Sequence, residues 1–115
     1  GHLVWEAVEA ARILANEGLS VELINIHTIK PLDNESILRS VAKTKCVVTA
    51  EEHQVAGGMG ESIAQLLANN HPLPMEFVAV NDQFGESGKP ADLMKKYGLH
   101  STDIIKATHR VLKRK

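Results

Sequence analysis

Cys46-Val47-Val48-Thr49-Ala50 is followed by Glu51-Glu52-His53, then Gly57-Gly58-Met59-Gly60, then a run carrying Ile63, Leu66 and Leu67 at helical spacing. The first five residues read as a short, continuously apolar strand, the pattern of a parallel strand covered on both faces. The last part reads as an amphipathic helix ending near Asn69-Asn70. A strand, a glycine-rich connection and a helix make half of a parallel crossover unit, and this unit sets the reading of the rest.

Outward from it, the same alternation continues. On the carboxyl side, His71-Pro72-Leu73-Pro74 is a turn, and Met75-Glu76-Phe77-Val78-Ala79-Val80 is a strand. Asn81 to Lys89 is a polar loop, and Pro90 suits the first turn of a short helix with Leu93, Met94 and Tyr97, stopped by Gly98. Ser101-Thr102-Asp103 caps a last helix with Ile104, Ile105, Thr108, Val111 and Leu112, and Lys113-Arg114-Lys115 favours its negative pole. On the amino side, Asp33 is the N-cap of a helix bearing Ile37, Leu38, Val41 and Ala42. Val21 to Ile26 reads as a strand, mostly apolar on both faces. Residues 3–17 read as a helix with Val4, Val8, Ala11 and Ala15 inward, Ala7 and Leu14 widening the stripe, and Gly18 as its left-handed terminator. The order is α-β-α-β-α-β-α-α. It predicts an α/β/α sandwich around a mostly parallel sheet, with right-handed crossovers.

Length and composition agree. A chain of 115 residues makes one domain, 1–115, able to bury roughly two-thirds of its unfolded surface. The net charge is −1, from 13 basic and 14 acidic residues, so no global field recruits nucleic acid or a membrane. Four aromatic residues, Trp5, Phe77, Phe84 and Tyr97, are too few for base-stacking platforms. No apolar run approaches the ~20 residues of a membrane span, and no signal peptide is visible. The single Cys46 excludes an internal disulfide framework and fits a reducing compartment.

Ligands in such sheets collect beyond the carboxyl ends of the strands. His27-Thr28, Glu51 to Gly60 and Asn81 to Lys89 meet that rule. Gly57-Gly58-Met59-Gly60 before a helix could cradle an anion on free backbone N–H groups. The dinucleotide fingerprint is incomplete, however: Ile63 stands in place of the third glycine, and six residues separate Ala50 from Gly57. The alternative is that the glycines let the helix start close to neighbouring backbone. Gly88-Lys89 is no phosphate loop, since Gln83 replaces its first glycine and Pro90 its hydroxyl. Glu51, Glu52 and His53, with His27, could form a carboxylate–imidazole site. Consecutive residues of an extended chain point in different directions, which favours loop-fixing by one glutamate instead. Cys46 reads as a core thiol, and Ser62 lacks a nucleophile-elbow context. No catalytic or metal-binding constellation emerges.

The whole pattern resembles a known family. Ile29-Lys30-Pro31-Leu32-Asp33 is similar to the strand-and-turn signature that follows the first helix of transketolase C-terminal domains. Glu51-Glu52-His53 with Gly57-Gly58-Met59-Gly60-Glu61 resembles their next segment. Ala79-Val80-Asn81, then Ser87-Gly88-Lys89-Pro90, Leu93, Tyr97 and Gly98-Leu99, resembles their closing one. Three motifs in order cover nearly the entire chain. The resemblance implies part of a cytoplasmic, homo-oligomeric enzyme that moves a two-carbon ketol unit between sugar phosphates. It implies thiamine diphosphate and Mg2+ held by the N-terminal transketolase domains or subunit, and not by this chain alone. The domain's implied role is structural or regulatory. No catalytic, cofactor or metal residue carries over. Glu51, Glu52, His53, Gly57, Gly58, Gly60, Ser87, Gly88 and Lys89 stand as a structural, anion-binding or interface loop set. A 2-oxo-acid dehydrogenase β-subunit domain and a free-standing anion-binding domain are the alternatives.

The family places one more strand ahead of the first helix, between Val21–Ile26 and Cys46–Ala50 in the sheet. The sequence contains no segment for it, so the domain is expected to be incomplete at its N-terminus and to take that strand from elsewhere. Two strands with unpaired edges are otherwise open to strand addition.

Overall fold

The computed structural model describes residues 2–26, 32–51, 58–79 and 100–115, with the side chains of His2 and Ala79 set aside. Its elements, in chain order, are α1 (His2–Asn16), α2 (Asn34–Thr44), β1 (Val47–Glu51), α3 (Met59–Asn70), β2 (Met75–Ala79) and α4 (Ser101–Lys113). The expected loop 81–89 and the short helix over Leu93, Met94 and Tyr97 lie outside the described residues.

β1 and β2 pair in parallel, with Val47 opposite Met75, Thr49 opposite Phe77 and Glu51 opposite Ala79. Because side chains alternate across a strand, each face of this ladder meets different helices. Val48, Ala50 and Val78 pack with Leu3 and Ala10 of α1 and with Ile104 and Ala107 of α4. Val47 and Met75 pack instead with Ile37 and Val41 of α2 and Ile63 and Leu67 of α3. The chain is therefore an α/β/α sandwich, with α1 and α4 on one face and α2 and α3 on the other.

Local sequence explains the helix ends. Gly18, at φ +87°, lets Leu19 N–H donate to Leu14 O and Gly18 N–H donate to Ala15 O, each at 3.0 Å, closing α1 as a Schellman motif. The Asp33 carboxylate accepts from Ser36 N–H at 3.3 Å and starts α2 as its sequence position requires. Lys45 ends α2 in the left-handed region at φ 68°. α4 is fastened to the amino end of β2 by two arginines. Arg110 Nε donates to Glu76 Oε1 at 3.0 Å, while Arg114 donates to Glu76 Oε2 and, at 2.6 Å, to Met75 O. The Arg110 hydrogen bond, with Arg114 beside it, holds the Glu76 carboxyl below its ordinary range against the opposing effect of burial.

Two expectations need correction. Val21–Ile26 forms no strand: among the described residues the sheet has two strands, and this segment has no ladder partner in it. Strand structure is a property of a hydrogen-bonded pair, so apolar composition alone did not suffice. The segment lies instead against α2, through Ile26 in the apolar cluster and a 2.9 Å ion pair between Glu22 Oε2 and Lys43 Nζ. Val21, Leu23 and Ile24 remain exposed. The inward face of α1 also differs in part: Leu14 is buried and Ala7 packs on the core as expected, but Leu3 and Ala10 complete that face, while Val4, Val8 and Ala15 face outward. α1 is apolar around much of its circumference, so periodicity could not choose a face; packing against α4 did.

Candidate functional site

The carboxyl end of the ladder is where the sequence set its candidate residues. Glu51 closes β1 on the α3 side, as Val47 and Thr49 do. Its side chain folds over the start of α3, where Oε2 accepts the N–H of Gly60 at 2.6 Å. Gly58 is the N-cap in extended backbone and offers no side chain, so Glu51 supplies from the sheet what a cap residue ordinarily supplies locally. A short hydrogen bond from an amide to a carboxylate is among the stronger neutral-to-charged contacts, and here it also meets the positive pole of α3. Glu51 is only 8% exposed, and its Oε1 is buried with no donor among the described residues.

Gly60 has a second reason to be glycine. A Cβ there would lie 2.8 Å from Phe77 Cδ1 and 2.9 Å from Thr49 Oγ1. These two residues are ladder partners on β2 and β1. The missing side chain thus lets α3 seat on the sheet at a distance that brings Gly60 N–H to the Glu51 carboxylate. Both consequences come from one position. Ser62 contributes locally, donating from its hydroxyl to Gly58 O at 3.3 Å.

A similar arrangement recurs at the start of α4. Glu6 of α1 presents Oε1 to Ser101 N–H at 2.7 Å, across ninety-five residues of sequence. The same oxygen lies 3.6 Å from His100 Nδ1, and the Asp103 carboxylate accepts His100 N–H at 3.3 Å. His100 Nε2 is buried without a partner among the described residues. The cap expected at Ser101-Thr102-Asp103 lies one residue earlier: His100 is the N-cap and Asp103, in the first turn, accepts its N–H, while Glu6 had no place in the sequence reading. No local signal joins a glutamate in the first helix to the start of the last one.

Of the residues singled out in sequence, Glu51, Gly58 and Gly60 therefore meet at one place. Glu52, His53, Gly57, Ser87, Gly88 and Lys89, along with His27, lie outside the described residues. Cys46 is partly buried and makes no disulfide. Among the described residues, no group of three His, Cys, Asp or Glu side chains is placed to hold a metal ion. Nor is any described helix long and apolar enough to cross a membrane. Chemically, the arrangement is a pair of helix starts at each of which a carboxylate from a distant element of the chain already accepts a backbone N–H, Gly60 at α3 and Ser101 at α4. An added anion at either start would meet like charge.

Comparison with known proteins gives a consistent result. Residues 1–104 match the family model described as "Transketolase, C-terminal domain". The 6-deoxy-6-sulfo-D-fructose transketolase subunit SqwH of Clostridium sp. (strain MSTE9) is 46% identical over 115 residues, covering 100% of this chain and 36% of that protein. A putative transketolase C-terminal section of Methanocaldococcus jannaschii is 38% identical, covering 99% of this chain and 35% of its own length. Among solved structures, a split-gene transketolase described as an inactive beta4 tetramer superposes with a TM-score of 0.93 at 41% identity, covering 98% of this chain and 37% of that one. The chain spans just over a third of the length of these relatives.

Proposed function

The chain belongs to the transketolase C-terminal domain family, and on that premise we propose that it is the part of a transketolase that builds and steadies the assembly while other parts carry the chemistry. The full enzyme transfers a two-carbon ketol unit between sugar phosphates with thiamine diphosphate and Mg2+. It works as a cytoplasmic homo-oligomer, and this domain enters it either as the end of a longer chain or as a split subunit. The observation that carries the non-catalytic role is the occupancy of the helix starts. A diphosphate group needs uncommitted N–H donors and a positive pole. At α3 the Gly60 N–H is engaged by Glu51, and at α4 the Ser101 N–H is engaged by Glu6. A carboxylate of the chain at each of these two starts disfavours a diphosphate there, which supports the reading, and no chemical step is assigned to these residues.

Two measurements test this. Calorimetric titration of the 115-residue chain with thiamine diphosphate and Mg2+ is expected to give no saturable heat, and a micromolar site would overturn the structural role. Ketol transfer should appear only when the chain is combined with the polypeptide carrying the remainder of the enzyme. Donors for that assay include a sugar-phosphate ketose and 6-deoxy-6-sulfo-D-fructose, the compound in the name of the Clostridium relative. Oxidative decarboxylation of a 2-oxo acid in place of ketol transfer would move the assignment to the dehydrogenase β subunits.

A further inference from the structure

We draw no further inference here: the strongest candidate, the outward apolar patch at the start of α1 formed by Val4, Trp5 and Val8, carries none because nothing in the structure shows what covers it.

Discussion

The starts of α3 and α4 meet the same need at different depths. Each helix exposes N–H groups at its first turn, and each receives a carboxylate from a distant element: Glu51 from β1 for α3, Glu6 from α1 for α4. Around α3 the contact is buried and crowded, since Gly60 sits against Phe77 and Thr49 with no room for a side chain. Around α4 the contact is half-buried, and His100 and Asp103 share it. The comparison teaches that burial, more than the number of hydrogen bonds, sets what each start contributes. Water can replace a lost partner at α4 more readily than at α3.

If that holds, Glu51→Ala should have the largest effect, about 1.5–3 kcal/mol, because it removes a buried charged acceptor and strands the Gly60 N–H. Urea unfolding monitored by circular dichroism measures it. Glu51→Gln keeps an acceptor and should recover part of the loss. Indifference of stability to both substitutions would break the comparison at its stronger end.

Gly60→Ala comes next. Overpacking costs about 1–3 kcal/mol, but alanine regains up to ~1 kcal/mol in a helix, so a net loss of about 1–2 kcal/mol is expected. The same substitution in a Phe77→Ala background should cost less, since the nearest obstructing atom is then gone. A double-mutant cycle reads that coupling.

Glu6→Ala should cost about 0.5–1.5 kcal/mol, the ordinary value for one hydrogen bond, because Ser101 N–H is only partly buried. A loss as large as that of Glu51→Ala would show that depth is not the controlling variable.

The smallest effect lies at the other end of α4, where Glu76 binds Arg110 and Arg114. The Glu76 carboxyl is held below its ordinary 4.5, chiefly by its hydrogen bond to Arg110. Its contribution is fully present above the unfolded value and disappears as pH falls through the lowered folded value. The stability difference between wild type and Glu76→Gln should therefore be constant near neutrality and vanish in acid. A difference that grows in acid would give the pairing the wrong sign.

Much of the candidate site could be read in advance, and the part that could not has a common cause. Glu51 and Gly58–Gly60 were visible because strand, polar connection and glycine-opened helix are consecutive. Parity along β1 then puts Glu51 on the same side as Thr49. The distinction between an anion cradle and a close approach was not visible, since both readings use glycine. It depends on where Phe77 and Thr49 lie. Glu6 was invisible for the same kind of reason: its partner is remote in sequence and its neighbours form an ordinary helix.

The sequence by itself determined four helices and two strands among the described residues, their caps at Gly18 and Asp33, and the family motifs that cover the chain. These follow from spacing, turn chemistry and short-range sterics, which act over a few residues. Tertiary structure alone decided three things: that Leu3 and Ala10 join Leu14 on the inner face of α1 while Val4, Trp5 and Val8 face out, that Val21–Ile26 rests on α2 without joining the sheet, and that carboxylates from β1 and α1 reach the starts of α3 and α4. Each is a choice among locally equivalent options. An apolar helix has several possible inner faces, an apolar extended segment is a strand only beside a partner, and a helix start accepts any carboxylate that packing brings within reach.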